Sequence, residues 1–437
     1  MGVKVAKFGG SSVADSIQLR KLKKIIDADP DRKYIIVSAA GKRFSGDNKI
    51  TDILYMCKAQ MDHNIPPDQL IQVVMDRYSA MKVDLGLDVD LESRFEEIKE
   101  NIKKGCTEAY LVSRGEYLSA ILTAAFLGYD FVDAAGLVQF DAKGRLMGEE
   151  TNAALSAELA KHERAVIPGF YGSRGASDEI VVFSRGGSDV TGSIVARAVN
   201  ADIYENWTDV SGLLMADPRI VENPAPISRI SYMELRELSY MGANVLHEDA
   251  VFPVRTAEIP INIRNTNKPE DPGTIITNDP KYDNDKVISG IAGNKDFTVI
   301  FLYKNMLNRE KGFIRRALTV LEDNDISVEH VPTGIDTISL VIANSELEGK
   351  LDEVLDDLQR TLEPDTMKVY ENISLIATVG RGMSFKPGVS ARLFTALAEA
   401  GVNIRMIDQG SSEVNIIIGV ETPDFEKAIR AVYHAFA

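Results

Sequence analysis

The chain has 437 residues, 45% of them hydrophobic and 26% charged, with a formal net charge of −16. That length predicts about two to four domains, and the acidic balance excludes nucleic acid and anionic membrane as expected partners, because both need clustered positive charge. No apolar run approaches the ~18 residues of a membrane span, and Cys57 and Cys106 are too few for a disulfide framework, so a reducing, cytoplasmic setting is expected. A strand pattern starts at Val3, so no signal or transit peptide is expected. The histidines at 63, 162, 247, 330 and 434 show no ligand spacing, and no structural metal is expected.

In chain order, Val3–Phe8 reads as a strand that ends in Lys7-Phe-Gly9-Gly10-Ser11-Ser12. A helical pattern follows through Val13, Ile17, Leu22 and Ile26, and Ser12 and Asp15 have the spacing of a capping box. Strand, glycine turn and helix N-terminus together make an anion site: Gly9 and Gly10 let the backbone approach a phosphate, and Lys7 adds a full charge. The same stretch also reads as an ordinary turn with a solvated lysine. Tyr34–Ser38 is a second buried strand feeding a polar loop, Gly41 to Ile50, that holds Lys42, Arg43 and Asp47.

A helix is expected from Thr51, and residues 66 to 104 read as a mostly helical, charge-rich flank. A longer helix from Glu108 to Gly128 contains Ser113-Arg-Gly-Glu116, where Gly115 hints at a close neighbour. Phe131–Ala135 reads as a strand, and Val138–Phe140 with Arg145–Met147 as a hairpin. After Ala165–Phe170, the strand Ile180–Ser184 leads into Arg185-Gly186-Gly187-Ser-Asp189 and a helix from Val190 to Asn200, repeating the opening device. Asp202–Trp207, Ile261–Arg264 and Thr274–Thr277 are further strands, with helices near 232–240 and 243–256. This alternation predicts a mainly parallel sheet covered on both faces, with ligands beyond the carboxyl ends of its strands.

Asn278 to Asp285 reads as a linker. Beyond it the order strand, helix, strand, strand, helix occurs twice, first over Phe297–Tyr303, 309–323, Ser327–Val331, Thr337–Ile342 and 346–361, closed by Met367–Tyr370. The second copy, Ser374–Val379, 388–400, Asn403–Ile407, Val414–Ile418 and 423–436, ends before its last strand. An open sheet edge is a liability, so Lys286–Ala292 is expected to supply that strand and interleave the two modules.

Arg185 suits a planar carboxylate through its forked donors, and Glu116 suits an ammonium group; with Lys7 and Asp189 they describe a site for an amino acid held at both backbone ends. Arg185 and Asp189 also read as a simple i, i+4 pair around a helix start.

Lys7-Phe-Gly-Gly-Ser-Ser-Val, Arg185-Gly-Gly-Ser-Asp189, Trp207-Thr-Asp-Val-x-Gly, Asp217-Pro-Arg219 and the paired C-terminal modules together resemble the aspartate kinase family. The resemblance implies an amino-acid-kinase fold, α/β with a mainly parallel central sheet, over residues 1–280. Two α+β ACT (ferredoxin-like) modules at 286–372 and 373–437 would follow. It implies transfer of phosphate from ATP, with Mg²⁺, to the β-carboxylate of L-aspartate. By matching motif, Lys7 and Asp189 would be catalytic. Ser38, Thr51, Glu116, Arg185, Gly186 and Gly187 would bind the acceptor, and Lys7, Gly9, Gly10, Ser11, Thr208, Asp209, Arg219 and Asn244 would bind ATP.

Two departures touch the nucleotide side: Asn244 stands where the family often has lysine, and Leu213-Leu214 where it often has an aromatic or polar residue. The regulatory half resembles the lysine-sensitive, single-function branch. It implies feedback by an end-product amino acid, lysine foremost, either alone or together with threonine, at Met306, Gly312, Phe313, Ile314, Val328 and Glu329. There the loop is one residue longer, and Glu329 replaces an aspartate. A homodimer or dimer of dimers is expected. The alternatives are a kinase for another amino-acid carboxylate and an amino-acid sensor with weak catalysis.

Overall fold

The computed structural model describes residues 2–175, 177, 179–184, 186–243, 246, 248–279 and 287–437. It divides into two compact units. The first comprises Met1–Leu213, Pro226–Tyr232 and Val245–Pro280; the second comprises Leu214–Ala225, Met233–Asn244 and Lys281–Ala437.

The strands of the first unit are β1 (Lys4–Phe8), β2 (Arg32–Val37), β3 (Asp130–Phe131), β4 (Gln139–Phe140), β5 (Ala165–Pro168), β6 (Tyr171–Arg174), β7 (Ile180–Val182), β8 (Ile203–Thr208), β9 (Arg229–Ser231), β10 (Ile261–Asn265) and β11 (Thr274–Thr277). Eight form one sheet in the order β3-β5-β2-β1-β8-β10-β11-β9, parallel throughout except between β10 and β11. Val5, Ala6 and Phe8 of β1 and Ile35, Ile36 and Val37 of β2 are fully buried, which is why these strands read as continuous apolar runs.

The helices of the first half are α1 (Ser16–Asp27), α2 (Ile50–Asp62), α3 (Asp68–Leu85), α4 (Glu92–Lys103), α5 (Glu108–Leu127), α6 (Gly148–Leu159) and α7 (Gly187–Ala198). α5 packs on β2, β3 and β5, and α7 on β1, β2 and β8. Gly115 lets α5 approach the end of β2: a Cβ there would lie 2.7 Å from the Ala39 Cβ. α8 (Tyr232–Tyr240) belongs to the second unit after its first residue, and α9 (Glu248–Thr256) packs on α7.

Several local expectations are corrected. Asp15, not Ser12, caps α1, accepting from the Gln18 N–H; the Ser12 hydroxyl is buried against that of Thr266, 2.7 Å away. The second glycine pair does not follow a strand of the main sheet, because β7 belongs to a small separate sheet, β4-β6-β7. The expected hairpin is reduced to β4 and an isolated bridge between Phe140 and Leu146. The helical flank is not merely solvated: Arg77 and Tyr78 of α3 are buried, and the Tyr78 hydroxyl donates to the Gly115 carbonyl.

The second unit holds one antiparallel sheet of β12 (Gly290–Tyr303), β13 (Thr337–Ala343), β14 (Thr366–Val379), β15 (Ile404–Asp408) and β16 (Asn415–Glu421), in the order β13-β12-β14-β16-β15. Its helices are α10 (Phe313–Asp323), α11 (Asn344–Leu347), α12 (Leu351–Leu362), α13 (Val389–Glu399) and α14 (Phe425–Phe436). β12 and β14 each replace two strands expected from the sequence. Gly290–Asn294 pairs with Leu375–Val379, and Phe297–Tyr303 pairs with β13 and with the first half of β14, across a bulge at Asn294–Phe297. Asp296 takes a φ of +71° in that bulge. The strand expected at Ser327–Val331 is only an irregular edge, bridged at His330–Val341 and Thr333–Ile338, where Pro332 and Gly334 interrupt the ladder. Lys286 and most of the expected linker, residues 280–285, lie outside the described residues.

Candidate active site

β1 delivers Lys7 to the carboxyl end of the main sheet, in register with Ile36 of β2 and Asn206 of β8. The turn that follows is tight because it passes close to the loop after β2. A Cβ on Gly10 would lie 2.9 Å from the Ala39 carbonyl oxygen, and one on Gly41 2.5 Å from the Gly10 carbonyl carbon. The Gly41 N–H donates to the Gly10 carbonyl at 2.8 Å. Two glycines facing each other are therefore a steric requirement of this approach.

Lys7 is 7% exposed, and its Nζ lies 2.5 Å from Asp189 Oδ1. Asp189 stands in the first turn of α7, where the helix dipole favours an acid, behind Gly186 with a φ of +57°. Two further donors fix it: the Asn206 amide reaches Oδ1 at 2.9 Å, and the buried Tyr204 hydroxyl donates to its backbone carbonyl at 3.1 Å. Gly192 makes room for this, since a Cβ there would lie 2.5 Å from the Tyr204 hydroxyl. Lys7 Nζ itself lies 3.7 Å from where a Gly9 Cβ would be. Charge, counter-charge and glycine turn thus meet at one point.

Gly10 and Ser11 also line a cavity of about 600 Å³, together with Ser38, Thr51, Glu116 and Asp209. That volume suits a small ligand. Thr208 ends β8, and its hydroxyl donates to Asp209 at 3.2 Å. Glu116 is 5% exposed, and its Oε2 has no hydrogen-bond partner. Burial pushes its carboxyl up to about 8; the Ala39 backbone and the Arg114 charge oppose that only in part. An orphaned buried carboxyl beside a polar cavity is suited to accept a cationic group.

Lys7 and Asp189 are thus brought together, and Gly10, Ser11, Ser38, Thr51, Glu116 and Asp209 share one cavity. Gly186 and Gly187 form the start of α7. Arg185 and Asn244 lie outside the described residues. Arg219 falls in the second unit, where its guanidinium is exposed and paired with Asp217 at 2.6 Å.

In the regulatory half, Gly312 precedes α10 with a φ of +78°, and Met306 and Ile314 are exposed. Val328 packs against the first module's core, and Glu329 accepts a hydrogen bond from the Tyr240 hydroxyl. The Phe313 side chain, at 2% exposure, is part of that core.

Asn206 was missed by sequence reasoning because it lies inside a strand. Its position one residue before the Trp207-Thr-Asp motif, beside Lys7 in register, was the available signal. Among the described residues no three His, Cys, Asp or Glu side chains cluster to hold a metal, and no helix is long and apolar enough to cross a membrane.

A buried lysine held by an acid, a glycine turn over it and a polar cavity alongside define a phosphoryl-transferring α/β enzyme. Residues 2–265 match the amino acid kinase family, and residues 376–436 match the ACT domain. The chain is 38% identical to aspartokinase 3 of Bacillus subtilis, with 99% of this chain and 98% of that protein aligned. The crystal structure of Clostridium acetobutylicum aspartate kinase is similar at a TM-score of 0.92 and 51% identity, covering 100% of both chains. E. coli aspartokinase III in complex with aspartate and ADP shares the fold, at a TM-score of 0.74 and 24% identity over 99% of each chain. The chain belongs to the amino acid kinase family, and the full-length relatives it resembles there are aspartokinases.

Proposed function

We propose that this protein is an aspartate kinase that transfers the γ-phosphoryl group of ATP to the β-carboxylate of L-aspartate, giving 4-phospho-L-aspartate and ADP. The observation that carries this reading is the Lys7–Asp189 pair at a glycine turn that also lines a cavity holding the unpartnered Glu116 carboxyl. In the reaction a β-carboxylate oxygen forms a bond to the γ-phosphorus while the bond to the β–γ bridging oxygen breaks, and its electron pair leaves with ADP. The acceptor is already ionised at neutral pH, its reference pKa being about 3.9, so no proton need be removed and no general base is required. Catalysis is then positioning plus charge stabilisation.

Lys7 stabilises charge on the transferring group, and Asp189, fixed by Asn206 and Tyr204, keeps its ammonium in place. Glu116 receives the aspartate ammonium, and Arg185 its α-carboxylate. Ser38, Thr51, Gly186 and Gly187 complete the acceptor side. Gly9, Gly10, Ser11, Thr208 and Asp209 serve the nucleotide. Mg²⁺ would arrive with ATP as part of the substrate and would offset part of the phosphate charge.

The kinase domain spans residues 1–280, and two ACT modules span 286–372 and 373–437. The pairing of Gly290–Asn294 with Leu375–Val379 supports an interleaved arrangement of the modules. Feedback by an end-product amino acid, lysine foremost, either alone or together with threonine, acts at Met306, Gly312, Phe313, Ile314, Val328 and Glu329. The protein is cytoplasmic and at least dimeric. E. coli aspartokinase III has been described in complex with lysine and aspartate in a T-state, which makes lysine the first effector to test. The decisive assay is ADP release with aspartate, glutamate and acetylglutamate, with hydroxylamine trapping of the acyl phosphate. Turnover of aspartate is expected; its absence sinks the reading.

A further inference from the structure

The loop between β2 and α2 brings three cations to the cavity that holds Ser38, Thr51 and Glu116: Lys42, Arg43 and Lys49. They are not equivalent. Arg43 is neutralised by Asp47, to which its Nε and Nη2 donate at 2.7 and 3.0 Å. Arg43, and then Arg77, hold the Asp47 carboxyl well below the usual carboxylate range. Lys42 and Lys49 are exposed and make no ion pair among the described residues. In a chain of net charge −16 such unpaired cations beside a cavity stand out from the bulk field.

The loop is not loose where it carries them. The buried Arg77 guanidinium donates to the carbonyls of Ala14 and Asn48, each at 3.0 Å, and to that of Gly41. One side chain thus ties both ends of the loop to the turn after Lys7. Lys49 directly precedes α2, whose first-turn N–H groups add a positive helix end at the wall that holds Thr51. The same cavity carries the opposite demand at Glu116, a buried carboxyl with an unpartnered oxygen.

We infer that Lys42 and Lys49 are specificity-determining residues that favour an acceptor with an excess carboxylate, drawing a net-negative amino acid into the cavity while Glu116 takes its ammonium. The inference rests on the proposed acceptor reaction. It assigns to this loop a role separate from the Lys7–Asp189 pair, and it predicts selection by net charge over a neutral amino acid of the same size.

The test measures KM for aspartate and for ATP at low and high ionic strength in the full-length enzyme. The variants are Lys42→Ala/Lys49→Ala, Lys49→Arg and, as a charge control, Lys58→Ala, a lysine of α2 already paired with Asp62. The double variant should raise KM for aspartate about tenfold and move that for ATP less than about twofold, the scale of two screened charge contacts. Its KM for aspartate should also lose most of the salt dependence shown by the wild type. Lys49→Arg should retain a near-wild-type value, and Lys58→Ala should change nothing. An unchanged KM for aspartate, an equal rise for ATP, or the same rise in Lys58→Ala overturns the inference. A wild-type enzyme that does not turn over aspartate would defeat the proposed function instead.

Discussion

Lys7 and Glu116 are buried almost equally, at 7% and 5% exposure, yet their surroundings are opposite. Lys7 meets Asp189, which Asn206 and Tyr204 hold in turn, so its charge is already positioned, where the proposed reaction would place the phosphate, before any ligand arrives. Glu116 keeps one carboxylate oxygen without a partner, and burial pushes it towards the neutral form. The difference teaches that one charge of the site is already satisfied within the fold, while the other keeps a polar atom open, which under the proposed reaction suits charge that develops on one side and charge that is delivered on the other.

The strongest way to break the comparison is Lys7→Ala. Removing a preorganised charge from the transferring group should lower kcat by about 10²–10³ in the ADP-release assay. A loss of only a few-fold would place the phosphoryl charge elsewhere. Asp189→Asn keeps the side-chain volume but removes the counter-charge; because it acts through Lys7, a smaller loss, about ten- to hundredfold in kcat, is expected.

Glu116→Gln sharpens the other side. Between its ordinary value of 4.5 and the folded value of about 8, the unfolded chain ionises Glu116 while the folded protein keeps it protonated. The folded state then binds more protons, so the contribution of Glu116 to stability is fully present below pH 4.5 and is lost as pH rises to about 8. Ligand-free Glu116→Gln should therefore melt with the wild type at pH 4.5 and above it at pH 8, as read by thermal unfolding. Binding should move the other way: an aspartate ammonium favours the ionised carboxylate, so wild-type KM for aspartate should fall towards pH 8. The variant should lack that slope and show a KM raised about tenfold, as for a lost charge-assisted hydrogen bond. Parallel pH curves for the two proteins would show that Glu116 does not meet the ammonium.

The smallest effect is expected at Tyr204→Phe. It removes one hydrogen bond to the Asp189 carbonyl, worth about 1 kcal/mol of stability, and should lower kcat less than about tenfold. Urea unfolding and steady-state rates measure the two together; an effect on kcat as large as that of Asp189→Asn would make Tyr204 the main support of the pair.

How much of this was legible beforehand follows from the range of the interactions. The Lys7 turn and the Asp189 turn are short motifs whose glycines and charges have local reasons, and both could be read as anion-binding devices. Their meeting could not, since 182 positions separate them and β7 lies outside the main sheet. The regulatory repeat was visible as two copies of one strand–helix order, but the chain alone suggested separate strands where β12 and β14 run on as single ones. Ser12 illustrates a local rule outvoted: its spacing to Asp15 mimics a capping box, yet Thr266 takes its hydroxyl and Asp15 caps instead.

The sequence by itself determined the element order, the mainly parallel α/β class and the residue types of the site, because apolar periodicity, glycine pairs and net charge act over a few residues at a time. Only the tertiary structure decided which charges are satisfied. Arg43 is neutralised by Asp47, which also pairs with Arg77 on a helix that read as a solvated flank, while Lys42, Lys49 and Glu116 face a shared cavity without ion-pair partners among the described residues. Pairing is a property of distances across the fold, and whether a polar group is spent or available is set there.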